Sequence, residues 1–210
     1  MVKECFIDLE TTGLDPVKNG VLQIAGHIEI EGEKVESFNI ECRPFADDEV
    51  APQALAVNGI ELESLKDRQD PREAFLQLKK LLSRYVAPFE KTDKFWFYAY
   101  NAPFDSGFLR EFFKKNGDKY YGSWFWTPAI DIMVLAASHL REERHLMENF
   151  RLSTVAAHLG VAVAEEELHD GRYDVRLMRE ILRTITNEQT SFRATPTSAD
   201  PLDKPTGGAF

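Results

Sequence analysis

Apolar and polar positions alternate with a period of two along Lys3 to Leu9, Val21 to Ile30 and Lys34 to Glu41, which predicts three strands. Between the second and third, Glu31-Gly32-Glu33 suits a hairpin turn. Phe95 to Tyr100 is aromatic and β-prone, and Ser123 to Trp126 is a shorter candidate of the same kind. A period near 3.6 predicts helices over Pro71 to Tyr85, Pro103 to Lys115, Ile130 to Leu140, Ser153 to Leu159 and Arg172 to Ile185. Asn101 and Pro103 suit the start of the second of these; Ser153 as N-cap and Gly160 behind the last apolar residue bracket the fourth. Strands first, then helices alternating with strands, imply an α/β fold with a mixed sheet of about five strands flanked by helices.

The alternation also exposes acids in unusual places. In the first strand Phe6, Asp8 and Glu10 share one face while Cys5, Ile7 and Leu9 share the other. An isolated Asp-x-Glu pair is ordinarily the wet face of an edge strand. An apolar strand that opens the chain and feeds a hairpin is usually central, however, where unpaired acids are costly to bury. Stepping back along the stripe Phe112, Leu109, Phe108 places Asp105 at its head, in the first helical turn, where the helix dipole also favours an acid. The last helix repeats this: Ile185, Ile181 and Met178 lead back to Asp174, with His169 in the loop just before.

Four carboxylates from three elements thus face inward, and their repulsion calls for protonation or a bound cation. Hard oxygen donors without a Cys/His cluster suit Mg²⁺ or Mn²⁺ better than zinc. Two such ions about 4 Å apart are a device for in-line phosphoryl displacement. A neutral histidine, with a reference pKa of about 6.5, could take the proton from the attacking water.

Composition adjusts this picture. Among the 210 residues, 35 acids against 25 bases give a net charge of −10, which disfavours a large surface that grips nucleic acid by phosphate neutralisation alone. Two ions at the carboxylates would make the local field attractive and the binding local, confined to a few terminal nucleotides. Residues 187–210 hold Pro196, Pro201 and Pro205 with no apolar stripe and read as a flexible tail of net charge −1 behind a folded domain of residues 1–186. Two cysteines, Cys5 and Cys42, in apolar surroundings fit reduced thiols. The sequence has no membrane-spanning run and no apolar signal region at its start, so the expectation is an intracellular protein without a membrane. It leaves the oligomeric state open.

Phe6-Ile7-Asp8-Leu9-Glu10-Thr11-Thr12-Gly13-Leu14, Asn101-Ala102-Pro103-Phe104-Asp105 and His169-Asp170-Gly171-Arg172-Tyr173-Asp174 resemble, in order, the three motifs of the DnaQ-like 3′–5′ exonucleases of DEDDh type. The tyrosine branch of the family would need Tyr at position 170, which is Asp170. The resemblance spans residues 3–186 and implies a ribonuclease H-like fold and two Mg²⁺ (or Mn²⁺). It also implies release of nucleoside 5′-monophosphates from the 3′ ends of single-stranded nucleic acid. By position it assigns Asp8, Glu10 and Asp174 to one metal, with Asp8 bridging to a second. Asp105 would act near the second metal, partly through water, and His169 as general base. Thr11, Thr12 and Gly13 would offer groups to the terminal nucleotide, Leu14 would wedge against its base, and Asn101 and Phe104 would shape the cleft. Gln53 and Asn58 stand where proofreading relatives often carry Glu and His, and could still hydrogen-bond a nucleotide. Gly171 in place of the usual Ala implies a more mobile His169 loop.

Asp131 is expected to start a helix and not to ligate, and the aromatic run at 95–100 to pack in the core instead of stacking on bases. Arg110, Lys114 and Lys115 suit either phosphate or a solvated face. The first functional expectation is a proofreading or repair exonuclease on DNA; the second is an RNA 3′-end trimmer or oligoribonuclease. The third is a non-catalytic module that tethers a polymerase. A DNA polymerase is also a candidate partner for the tail, through Phe192, Leu202 and Phe210.

Overall fold

The computed structural model describes residues 1–164, 166, 168 and 170–194, with side chains as far as residue 187. Five strands, β1 (Lys3–Thr11), β2 (Val21–Ile30), β3 (Glu33–Glu41), β4 (Trp96–Ala99) and β5 (Ile130–Asp131), form one sheet in the order β3-β2-β1-β4-β5. β2 runs antiparallel to both β1 and β3, while β4 lies parallel to β1 and β5 parallel to β4. The β2–β3 hairpin closes through Glu31 and Gly32, both at positive φ (51° and 81°), as a tight two-residue turn requires when its twist matches the strands.

Among the described residues six α-helices accompany the sheet: α1 (Pro52–Val57), α2 (Pro71–Leu82), α3 (Ala102–Lys115), α4 (Ile132–His139), α5 (Leu152–His158) and α6 (Gly171–Ala194). The period-two pattern of β1 sorts them. Cys5, Ile7 and Leu9 pack into a core with Leu78 of α2 and with Phe108, Leu109, Phe112 and Phe113 of α3. Phe6 points the other way, into a second core with Ile132 of α4, Val155 of α5, and Met178 and Ile181 of α6. Both faces of β1 are therefore covered. The aromatic run in and around β4 divides likewise: Phe95 and Phe97 enter the first core while Tyr98 and Tyr100 pack partly against the second.

Several expectations change. Ser123–Trp126 is not a strand: a 3₁₀ turn spans Tyr121–Ser123, and Phe125 makes only a single parallel bridge to Phe95. Trp124 and Phe125 are apolar because they are buried, not because they pair, and Pro128 has no N–H to extend a ladder. The fifth strand is instead Ile130–Asp131, so α4 begins later than its periodicity suggests. Asp131 is its N-cap and accepts from Met133 N (2.9 Å), the helix-start role expected of it. The N-cap of α5 is Arg151, with Ser153 inside the first turn. α6 continues past Ile185 to Ala194. α1 escaped the periodicity because it buries only Leu55. Among the described residues no helix is long and apolar enough to cross a membrane.

Candidate active site

The parallel strands β1, β4 and β5 end on the same side of the sheet, and the site is assembled there. Asp8 and Glu10 stand on the α6 face near the end of β1, both partly buried, opposite Ala25 and Gln23 of β2. The β1–β2 register slips directly after Glu10, so the chain leaves the ladder immediately behind the second acid.

β4 pairs with β1 only as far as Phe6–Tyr98. Beyond that point the chain turns from β4 into α3 through Asn101, which adopts the left-handed conformation that Asn tolerates better than most residues. Asn101 occupies the N-cap position, but its side chain does not cap the helix; its N–H donates to Asp131 Oδ1 (3.1 Å). Asp131 thus ties the starts of α3 and α4 together. Asp105, 3% exposed in the first turn of α3, accepts the Leu9 N–H on β1 (3.1 Å).

The third component is the start of α6. Asp170 accepts from Arg172 N (2.9 Å), and the Tyr173 hydroxyl accepts from Ala164 N (2.5 Å), which ties Ala164 to α6. A Cβ at Gly171 would lie 2.8 Å from the Ala25 Cβ and 3.3 Å from Asp8 Oδ2. The glycine is therefore what lets α6 approach β1 and β2 closely, while the His169 loop to which greater mobility was ascribed lies outside the described residues. One turn into α6, Asp174 is partly buried ahead of fully buried Met178 and Ile181. His169 lies outside the described residues.

Electrostatics show that these side chains share one environment. The Asp8 carboxyl is pushed well above the ordinary range, first by burial, then by Asp105, Asp174 and Glu10. Glu10 is raised to about 7 by burial and Asp174. Asp105 is also raised, by burial foremost; the Leu9 N–H opposes this, and Glu10 and Asp131 add to it. Such mutual repulsion is costly without protons or cations, and all the donors are hard oxygens that suit a hard divalent ion. Among the described residues no three His, Cys, Asp or Glu side chains stand in a ready-made ligating cluster, so the fit to a cation rests on donor chemistry and shared repulsion.

The other expected site residues separate into two groups. Leu14 is 84% exposed at the loop tip, Gln53 and Asn101 are exposed, and Phe104 is half-buried against Phe108 (ring centroids 4.8 Å). These can meet a ligand. Thr12, by contrast, is fully buried; its hydroxyl donates to Glu49 O (2.6 Å) and accepts from Gly20 N (2.8 Å). Its task is to fix the loop, a correction to the nucleotide contact expected of it. The Thr11 hydroxyl donates to Gly13 O (2.7 Å), and Asn58 Nδ2 to Thr11 O (3.1 Å), so Asn58 braces the end of β1. Gly13 packs against Asn19, where a Cβ would lie 2.4 Å from Oδ1. Lys115 is anchored too, donating to Asn19 O (2.7 Å) and pairing with Asp48, while Lys114 pairs with Glu111 and Arg110 lies over the Tyr121 ring. The strut from Asp131 to Asn101 was not foreseen; the only signal for it is the placement of Asp131 as a helix cap.

Comparison with known proteins places this arrangement. The RNase_T family model, described as exonuclease, matches residues 5–182. The PolC-type DNA polymerase III of Thermotoga petrophila is 28% identical over 156 residues, covering 74% of this chain but 10% of the polymerase. The chain therefore spans about a tenth of that relative's length. Ribonuclease T of Shewanella frigidimarina is 26% identical over 92% of the chain and 86% of its own length, and DNA polymerase III subunit epsilon of Rickettsia typhi 25% over 97% and 80%. Among solved structures, E. coli exonuclease I in complex with a dT13 oligonucleotide superposes with a TM-score of 0.72 at 20% identity, covering 92% of this chain and 43% of that one. This last likeness shows the fold, a ribonuclease H-like mixed sheet.

Proposed function

The chain belongs to the RNase_T exonuclease family, the DnaQ-like DEDDh group, and from that membership we propose that it is a divalent-metal-dependent 3′–5′ exonuclease acting on single-stranded or frayed 3′ ends. The observation that carries this reading is the convergence of carboxylates from β1, α3 and α6: burial first, and then neighbouring acids that include Asp174, push the carboxyls of Asp8, Glu10 and Asp105 up. These four would hold two Mg²⁺ or Mn²⁺ ions. Such ions neutralise phosphodiester charge and acidify water at the site.

The chain's own residues do the rest. The Leu9 N–H orients the Asp105 carboxylate, and Gly171 lets Asp174 approach Asp8. His169 takes the proton of the attacking water as its oxygen bonds to the terminal phosphorus. The bond to the 3′ oxygen of the preceding nucleotide breaks, that oxygen is protonated, and a nucleoside 5′-monophosphate leaves. Leu14, exposed at the loop tip, is placed to press on the terminal base, with Phe104 shaping the cleft behind it.

DNA is the preferred substrate reading, because the relatives include polymerase III proteins. RNA is the second, favoured by ribonuclease T relatives that match over most of both chains. The nuclease is assigned to residues 1–186; residues 187–210, which begin within α6, are assigned to docking a DNA polymerase, and unchanged polymerase association after deleting them would rule that out. The deciding assay supplies 5′-labelled single-stranded DNA, duplex DNA with a mismatched 3′ end, and RNA, each with Mg²⁺ and with EDTA. A ladder shortening from the 3′ end that disappears with Asp8→Ala supports the reading. Equal activity in EDTA overturns it.

A further inference from the structure

The net charge of −10 conceals a basic cleft. Between α6 and the β2–β3 hairpin lies a cavity of about 430 Å³ lined by Lys34, Ser37, His27, Arg172, Arg176 and Arg179, with Glu180 as its acid. Its floor is held from below. Glu29, 4% exposed, binds both Arg179 and His27 Nε2, so the Arg179 guanidinium is fixed on the cleft side of a buried acid. Burial, followed by Arg179, Lys34 and Arg183, holds His27 down at about 4, so its ring is a neutral polar wall.

The rim differs from the floor. Arg176 lies over the Tyr173 ring (4.7 Å), and among the described residues neither it nor Lys34 has an ion-pair partner. Arg172 pairs with exposed Asp170, a contact that solvent weakens and an incoming anion can compete with. Arg172, Arg176 and Arg179 fall three and four residues apart on one stripe of α6 and span about 10 Å. That accommodates more than one phosphate at the ~3.4 Å axial spacing of a stacked strand.

Position decides what the cleft serves. Arg172 follows Gly171, the residue packed against Asp8 and Ala25, and Gly26 follows Ala25, so the cleft lies next to the carboxylate site, between α6 and the strands β2 and β3. We propose that this cleft binds the phosphodiester backbone of the nucleic-acid strand whose 3′ end lies at the carboxylates, with Lys34 and Arg176 as the principal phosphate contacts. The ligand assignment rests on the nuclease reading; the cleft itself does not. Guanidinium forks suit phosphate geometry, and the contacts carry no base information, so they add affinity without sequence preference.

The test measures binding by fluorescence anisotropy of 5′-fluorescein-labelled dT12 on the full chain in EDTA, where hydrolysis plays no part. Lys34→Glu/Arg176→Glu is expected to weaken Kd at least tenfold. It should also flatten the dependence of log Kd on log salt by about 1.4, two contacts at ~0.7 each for single strands. Lys66→Glu/Arg141→Glu makes the same charge change away from the cleft and should leave Kd within about threefold. Lys34→Gln/Arg176→Gln repeats the test should the reversal impair folding. Unchanged binding in the cleft variants, equal loss in the control, or displacement by oligoglutamate as readily as by unlabelled dT12 would overturn the proposal. Normal binding with no nuclease activity in Mg²⁺ or Mn²⁺ would instead overturn the nuclease reading and leave the cleft standing.

Discussion

Asp105 accepts the Leu9 amide proton at 3.1 Å, so a side chain from the first turn of α3 takes a place on β1 beyond the point where β4 stops pairing. One carboxylate thereby does two things: it satisfies a buried backbone donor and delivers negative charge to Asp8. The two roles separate on mutation. Asp105→Asn keeps a carbonyl oxygen for the Leu9 N–H and removes the charge, so it should unfold in urea with EDTA at least as late as the parent while losing about 10² or more in kcat. Asp105→Ala leaves the donor unmet and should cost about 1–3 kcal/mol as well. Equal destabilisation by both variants would show that the hydrogen bond is immaterial.

The raised Glu10 pKa sets a direction for pH dependence. Glu10 holds its proton to about 7 in the fold, against 4.5 in an ordinary setting, so the folded state binds more protons between those values. Stability of the metal-free protein is then greatest below about 4.5 as far as this group is concerned, and declines as pH rises to about 7, by about 3 kcal/mol from Glu10. Asp8 and Asp105 act in the same direction. Urea midpoints in EDTA at pH 5 and pH 8 measure this. Mn²⁺ should abolish the decline, and a midpoint that rises with pH in EDTA would contradict the shared repulsion.

Gly171→Ala introduces a methyl 2.8 Å from the Ala25 Cβ and 3.3 Å from Asp8 Oδ2. The helix must shift or the strand must yield, at about 1–3 kcal/mol, and kcat should fall as Asp174 moves relative to Asp8. Ala25→Gly in the same chain removes the nearer obstacle and should restore part of both. Wild-type stability and kcat in the single variant would mean that α6 does not need its close approach.

His169→Ala should lower kcat by about 10²–10⁴ while Mn²⁺ affinity, followed by calorimetry, stays within about twofold. Loss of this proposed base should also change the dependence of kcat on pH. A parallel loss of Mn²⁺ binding would make His169 a ligand.

The candidate carboxylates were legible in the sequence because their signal is local. A period of two places Asp8 and Glu10 on one face of β1, and a period of 3.6 carries the stripes of α3 and α6 back to Asp105 and Asp174. The α/β class followed from the same periodicities. The sequence by itself thus determined which acids face inward and on which kind of element. Tertiary structure decided what those acids and their neighbours touch. Thr12 has the same residue type on either account, but only the approach of Gly20 and Glu49 shows its hydroxyl to be spent inside the loop. Gly171 packs against Ala25 of β2, a contact that no local pattern announces. Lys34 and Arg176 lie far apart in a chain of net negative charge, and no periodicity links a hairpin to the last helix. Periodicity records which way a side chain points within its own element; which side chain from elsewhere meets it depends on sheet order and helix packing, which are set by the sum of many long-range contacts.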